Sequence, residues 1–214
     1  MLVRCSAIGK IMTNSRGKTW GLSATCKKYI QKTLLEDMYG VKSEFKSKYT
    51  DKGNEMEDAG ISLANEVLDL GFLYKNKERF TNEYLTGEPD INTDVLIDIK
   101  SSWSMDTFPL FEDKIPTKDY YYQLMGYMML TGKKVATLCY CLTDTPKHLL
   151  REDEKELHQF GLLPKELRIK TFTVEYDEQV ADEIIERVKE CKEYYNELKE
   201  QLNESQTNNT TRND

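Results

Sequence analysis

The stretch GEPDINTDVLIDIKSS, Gly87 to Ser102, contains a contradiction: it is apolar enough for a buried strand, yet it carries Asp90, Asp94, Asp98 and Lys100. In an extended chain alternate side chains point to opposite faces. Val95, Ile97 and Ile99 are therefore expected to pack into the core, while Leu96, Asp98 and Lys100 share the other face and look into a cleft together with Asp90. Burying two charges at a sheet surface is costly unless they pair or meet a metal. Taken alone, the pair reads first as a salt bridge on the solvated face of an edge strand. The neighbouring residues change that reading. Pro89 fixes the backbone before Asp90, and the turn residues Asn92 and Thr93 fold the chain back so that Asp90 approaches Asp98. Two carboxylates brought together repel unless a cation lies between them, and an oxygen set without His or Cys selects a hard ion, Mg²⁺ or Mn²⁺. Lys100 cannot ligate such an ion. It can hold or deprotonate an attacking water, or stabilise negative charge on a phosphate.

Upstream, Ser23 caps a predicted helix in which Cys26, Ile30, Leu34 and Met38 recur every four residues, with Gly40 as the stop. A second helix is predicted from about Asn54 to Leu70, with Met56, Ala59, Leu63, Val67 and Leu70 on one stripe and Gly71 ending it. Strands are predicted over Arg79 to Tyr84, near Gly87 to Asp90, and over Val95 to Ser101. Downstream, KDYYYQLMGYMMLTG reads as a buried helix ending at Gly132, and KVATLCYCL as an apolar strand. The order helix, three strands, helix, strand describes an α/β (α+β) domain with a central mixed sheet flanked by helices. Beyond Asp144 follow a charged helical stretch to about Phe160, the extended segment RIKTFTVEY, and a long amphipathic helix from near Asp177. That helix has Val180, Ile184, Val188, Cys191, Tyr195 and Leu198 on its apolar side. One domain over residues 1–201 is expected, with a polar tail, 202–214, expected to be disordered because no hydrophobic residue anchors it after Leu202.

A chain of 214 residues with 39% hydrophobic and 31% charged residues can bury a core and build a cleft. No run approaches the roughly 18 apolar residues of a membrane span, and MLVRCSAIGKIM lacks the long apolar run of a signal peptide. A cytoplasmic location away from membranes is expected. The five cysteines are scattered, and Cys139 and Cys141 at i and i+2 do not match a zinc or iron–sulfur spacing, so all five are read as reduced and structural. His148 and His158 have no second ligand at metal-binding spacing and are expected at the surface. A net charge of -7 and a pI of 5.1 count against coating of nucleic acid by bulk electrostatics. Much of the acid lies in REDEKELHQF and the last helix, whereas KIMTNSRGK, CKKYIQK and VKSEFKSK are Lys-rich, so a local basic face remains compatible with the acidic total.

Pro89 and Asp90, followed by Asp98, Ile99 and Lys100, resemble the signature of the PD-(D/E)XK nucleases, and the element order is similar to their restriction-endonuclease-like αβββαβ core. Two further motifs resemble the RecB-like and lambda-type (YqaJ-like) phage exonuclease branch. Gly53 and Glu57 in GNEME are similar to its GxxxE, and Gln123 and Tyr127 in QLMGY to its QxxxY. RCSAIGKIM resembles the serine-containing opening of the lambda-type proteins, which places Ser6 and Arg4 near a terminal phosphate. The resemblance covers roughly Ser6 to Leu142. It implies Mg²⁺, with Mn²⁺ as a substitute, held by Asp90, Asp98 and the Ile99 carbonyl, with Glu57 reaching it through water or helping to hold a second ion. Lys100 then orients and activates water, and Gln123 positions Lys100 or a phosphate. Tyr127, four residues from Gln123 on the same helix face, is placed to contact the lysine, a water or DNA. Ser101 and Ser102 are candidates for donating to backbone phosphates, and Trp103 for stacking on a base or for packing. Asp98 stands where many relatives have Glu, and the four-cysteine cluster of the iron–sulfur relatives is absent, so no such cluster is expected.

The family implies a metal-dependent exonuclease degrading linear double-stranded DNA in phage recombination and repair, alongside a single-strand annealing protein and from a ring-shaped homo-oligomer, a trimer. The alternatives are a structure-specific or restriction-type endonuclease, which the GxxxE and QxxxY pair disfavours, and a catalytically idle DNA-binding module. The second needs a broken metal site, and every expected position is present.

Overall fold

The computed structural model describes residues 1–18, 20–42 and 46–210, with side chains through residue 204. Its frame is a mixed four-stranded sheet of β4 (Ile91–Asn92), β5 (Leu96–Ser101), β6 (Val135–Cys141) and β7 (Ile169–Glu175), in that order. β4 and β5 are antiparallel with Ile91 opposite Ile97, β5 and β6 are parallel with Asp98 opposite Leu138, and β6 and β7 are antiparallel. A smaller sheet places β3 (Leu85–Gly87) between β1 (Val3–Arg4) and β2 (Phe80–Thr81). The expected strand near Gly87 to Asp90 is therefore two short strands in two sheets, and Asp90 lies where the chain crosses from one sheet to the other.

Both faces of the larger sheet are covered, as a parallel pair in its interior requires. On one face Ile97, Ile99, Cys139 and Cys141 pack with Ile61, Leu63 and Ala64 of helix α4 (Glu57–Val67). On the other, Leu96 and Leu138 join the main core with Leu124, Met125 and Met128 of helix α5 (Lys118–Thr131). Val95, Ile97 and Ile99 thus face the core as expected, but Leu96 does not look into the cleft. Its face of β5 runs from core at Leu96 to cleft at Asp98 and Lys100, because α5 covers its first part and ends at Gly132, in the left-handed conformation with φ 74°.

Helix α2 (Ala24–Tyr39) starts at Ser23, whose side chain accepts from the Cys26 backbone N–H, and stops at Gly40 with φ 64°. It follows a four-residue turn, α1 (Ile8–Ile11), and packs on helix α6 (Glu178–Thr210) through Cys26, Ile30, Leu34, Val188, Cys191 and Tyr195. All five cysteines are buried and free.

Four expectations are corrected. The single helix over Asn54 to Leu70 is two: α3 (Lys48–Glu55), opened by a capping box between Ser47 and Thr50, and α4, separated by Met56 at φ -102° and ψ 6°. Gly53 and Asn54 are weak helix formers, and α4 is drawn onto β5 so closely that a Cβ on Gly60 would lie 2.7 Å from Ile99 Cγ2. That contact turns the buried face to Gly60, Ile61, Leu63 and Ala64; of the predicted stripe Leu63 is buried and Val67 packs beside it, while Ala59 and Leu70 are exposed. The charged stretch before Phe160 forms 3₁₀ turns, Glu152–His158 among them, rather than an α-helix. His158 is buried, with its Nδ1 bonded to Thr145 Oγ1 at 2.9 Å, whereas His148 is exposed. Helix α6 continues to Thr210, into the stretch expected to be disordered, since helix elongation from a packed helix needs no further hydrophobic anchor. Residues 211–214 of that tail lie outside the described residues. Among the described residues no helix is long and apolar enough to cross a membrane.

Candidate active site

Strand β5 delivers Asp98 and Lys100 to the floor of a cleft of about 810 Å³, whose lining includes Ser6, Gly53, Glu57, Asp90, Ile99, Ser101, Ser102, Trp103, Tyr120 and Gln123. Asp98 is 1% exposed. Its Oδ1 accepts from Gln123 Nε2 at 3.1 Å, and its Oδ2 lies 2.6 Å from Lys100 Nζ. Asp90, on the bend that carries the chain between the two sheets, accepts from the Ile99 backbone N–H at 2.6 Å. The bend is pinned from outside: Asn76 donates its backbone N–H to the Asp90 carbonyl at 2.7 Å and its side-chain amide to the Pro89 carbonyl at 3.0 Å.

The electrostatics follow from burial. Asp90 is pushed up to about 7, first by burial and then by the charge of Asp98, against the opposing pull of Lys100. For Lys100, burial alone would lower the pKa, but Asp98 and Asp90 outweigh it and hold the group above its usual value. The lysine is therefore an ammonium at neutral pH, sitting where the carboxylate pair needs positive charge. Its ammonium also lies 5.0 Å from the ring centre of Tyr120, one turn before Gln123 on α5.

Of the residues expected at the site, Glu57, Asp90, Asp98, Ile99, Lys100, Gln123, Ser6, Ser101 and Ser102 do line one cleft. Glu57, the first residue of α4, turns its carboxylate to Lys75 at 3.2 Å. Among the described residues no three His, Cys, Asp or Glu side chains converge at metal-binding separation. The donor set that is assembled, two carboxylates and the Ile99 backbone, is oxygen-only, and Lys100 offsets its like-charge repulsion only in part, since Asp90 stays raised, so it suits a hard cation. The Ser101 and Ser102 hydroxyls are buried without a protein partner. Two expected residues stand elsewhere. Tyr127 is 5% exposed, lies outside the cleft lining and pairs its hydroxyl with Gln123 Nε2 at 2.9 Å, so it supports the glutamine from beneath. Arg4 is exposed on β1, paired with Thr86 in the smaller sheet, outside the cleft lining.

No protein-family model and no curated protein sequence matches the chain. Among solved structures, the phage-related exonuclease from Haemophilus somnus 129PT is similar with a TM-score of 0.82 and 31% identity, over 94% of this chain and 96% of that one. This chain belongs to the phage-related exonuclease family. Within the PD-(D/E)XK nucleases that is the YqaJ-like, lambda-type branch. The alkaline exonuclease LHK-Exo from Laribacter hongkongensis shares the fold of this phage-related exonuclease, with a TM-score of 0.71 and 17% identity over 97% of this chain and 94% of that one. A second structure of LHK-Exo, in complex with dAMP, gives 0.65.

Sequence reasoning missed several residues that line this exonuclease's cleft or pair with its lining. Tyr120 had a signal, because it precedes Gln123 by three positions and shares its helix face. Lys75, from a loop, had none: nothing in the order of residues ties it to Glu57. Tyr49, Thr50 and Asn54 enter the lining because α3 and α4 are separate helices.

Proposed function

We propose that this protein is a Mg²⁺-dependent deoxyribonuclease that digests linear duplex DNA from its ends, with Mn²⁺ able to substitute. The observation that supports this most directly is the buried pair of Asp98 and Asp90, with Gln123 donating to one and the Ile99 N–H to the other. Asp90, Asp98 and the Ile99 carbonyl would hold the ion, with Glu57 contributing through water once released from Lys75. Bound there, the ion supplies Lewis acidity and a hydroxide-like water for attack on a phosphodiester.

The chain's own residues do the rest. Gln123, held by Tyr127, fixes the rotamer of Asp98. Lys100, beside Asp98 on the cleft floor, is placed to orient and activate the water and to stabilise the negative charge that grows on the phosphate. The water oxygen bonds to phosphorus and gives up a proton to solvent, while the bond from phosphorus to the leaving sugar oxygen breaks and that oxygen takes a proton from solvent to leave as a hydroxyl. Ser101 and Ser102, with hydroxyls that no protein group satisfies, are placed to donate to phosphate oxygens. Membership of the phage-related exonucleases supports work on DNA ends during recombination or repair in a bacterial cytoplasm, alongside a single-strand annealing protein and as a homo-oligomer.

The test is digestion of end-labelled linear DNA and of the same plasmid covalently closed, in Mg²⁺, by the native chain and by Asp98→Ala and Lys100→Ala. The native chain is expected to consume only the linear form, and each variant to lose at least about a hundred-fold in rate, of the order seen when a charge-stabilising group is removed. Equal digestion of closed plasmid would show an endonuclease, and undiminished variants would place the chemistry elsewhere.

A further inference from the structure

The cleft has a second wall that hydrolysis does not use. Trp103 leaves the end of β5 two residues after Ser101, and Tyr49 lies on the first turn of α3; both line the cleft that holds Asp98 and Lys100. Their rings meet edge to face with centres 5.1 Å apart, and Tyr49 is 58% exposed. The ammonium of Lys48, an exposed residue, rests 4.5 Å from the centre of the Trp103 ring. A solvated side chain reaches that indole, so its ring opens on the cleft and is not sealed in the core.

From behind, the same tryptophan is braced at some cost. Lys52 is 1% exposed, donates to the Trp103 carbonyl at 3.1 Å, and lies 5.3 Å from the ring centre of Phe160. Burial pulls its ammonium down to about 8, only partly offset by the charge of Asp144. His158 sets its ring edge-on to the indole at 5.1 Å and is itself fixed by Thr145. Packing a tryptophan needs no buried lysine, and burying one is unfavourable without return elsewhere. Such a brace makes sense for a ring that must hold its orientation while one side stays open. A rigid indole face open beside a phosphate-directed site, with the Tyr49 ring standing at its edge, fits a planar, weakly polar group attached to a phosphodiester: a nucleobase.

We propose that Trp103 and Tyr49 form a shelf on which an unpaired base of the DNA stacks, next to the scissile phosphodiester, with Lys52 and His158 as positioning residues beneath it. This rests on the nuclease reading of the site. Lys48, an exposed side chain, leaves the ring when the base arrives. Stacking of this kind tolerates every base, because each presents a π face, so the shelf binds without selecting sequence.

The chain has two tryptophans, and Trp20 is remote from the cleft, lying against the Arg187 guanidinium 4.1 Å from its ring centre. Trp20→Phe therefore leaves Trp103 as a single fluorescent reporter. Titrated in Mg²⁺ with a short single-stranded oligonucleotide carrying hydrolysis-resistant phosphorothioate linkages, it should show saturable quenching that disappears when the terminal nucleotides are abasic. By anisotropy, Trp103→Leu and Tyr49→Leu should each weaken binding about ten-fold or more, the size of one lost base stack, while Trp103→Phe keeps most of the affinity. Tyr49 is a surface residue, so its variant guards against misfolding as the cause. Binding untouched by either leucine substitution, or quenching equal for abasic and normal strands, would overturn the shelf. An oligonucleotide that fails to bind while linear DNA is still digested would overturn the shelf alone; failure of both would remove the nuclease reading with it.

Discussion

Asp98 and Asp90 differ in what satisfies them. Asp98 has a charged partner at 2.6 Å and an amide donor, while Asp90 has one backbone N–H and is pushed up to about 7 by burial and by its neighbour's charge. An acid raised in the folded chain above its unfolded value of about 3.9 makes the native state bind more protons than the unfolded state between about pH 4 and 7. Its contribution to stability in chelator is therefore complete at the acid end and is lost as pH rises through that window, by up to about 4 kcal/mol. Asp90→Asn carries no such dependence. Comparing urea midpoints of the native chain and Asp90→Asn at pH 5 and pH 7.5 in chelator should show the native chain losing more stability with the rise in pH, and Mg²⁺ at pH 7.5 should restore stability to the native chain but little to the variant. Parallel pH responses in the two proteins would mean that Asp90 is ionised and relieved without a cation. The serines offer a contrast: their hydroxyls are buried without partners but carry no charge, so Ser102→Ala should leave these midpoints within about 1 kcal/mol while lowering DNA affinity.

At the scale of elements, the site depends on how closely α4 lies on β5. Gly60 permits it, since a side chain there would press on Ile99, the residue between Asp98 and Lys100. Gly60→Ala is expected to cost about 1–3 kcal/mol through overpacking and also to disturb the two charged neighbours. Thermal melts together with the rate of linear-DNA digestion measured well below the melting temperature would separate these effects, and a variant with native rate and native melting would show that the helix shifts freely. The same junction marks the limit of what could be read beforehand. The alternation of Val95 to Lys100, the caps at Ser23 and Gly40, and the stop at Gly132 are local, because each depends on residues a few positions apart. Asp90, Asp98, Lys100, Gln123 and Glu57 were legible because spacing and resemblance placed them in order. The break at Met56, the burial of Lys52 and His158, and the pairing of Glu57 with Lys75 arise from contacts 13 or more residues apart in sequence, or from the choice between one helix and two, and periodicity carries no information about these. Tyr127 was misplaced for a related reason: four-residue spacing gives a shared helix face but not which of two stacked residues reaches the cleft.

Across the whole molecule, the acidic total and the acidic site raise one question: what keeps the frame rigid around a cluster that repels itself. Much of the answer lies on the side away from the cleft, where α6 ties the N-terminal segment to the sheet domain. Arg187 of α6 is 0% exposed; it donates to the Gly21 carbonyl at 2.9 Å and to Asn14 Oδ1 at 2.6 Å, and stacks on Trp20. Those bonds hold the loop between α1 and α2, while Gly9 and Gly126 let α1 and the turn before it seat against α5, the helix that carries Gln123. A cation at this position has a planar fork that meets two acceptors and a ring at once, which lysine cannot do. Arg187→Lys should therefore destabilise almost as much as Arg187→Met, each by about 2 kcal/mol or more, even though only the first keeps the charge. Because Arg187, Asn14, Trp20 and Gly21 all lie outside the cleft lining, both variants should retain native digestion of linear DNA at temperatures where they remain folded, with the loss confined to a lower denaturant midpoint. If Arg187→Lys melted like the native chain, charge alone would suffice at this position and the geometric account of the anchor would be wrong. If instead activity fell before unfolding began, the loop between α1 and α2 would be coupled to the cleft through Ser6, and the anchor would belong to the site as well as to the fold.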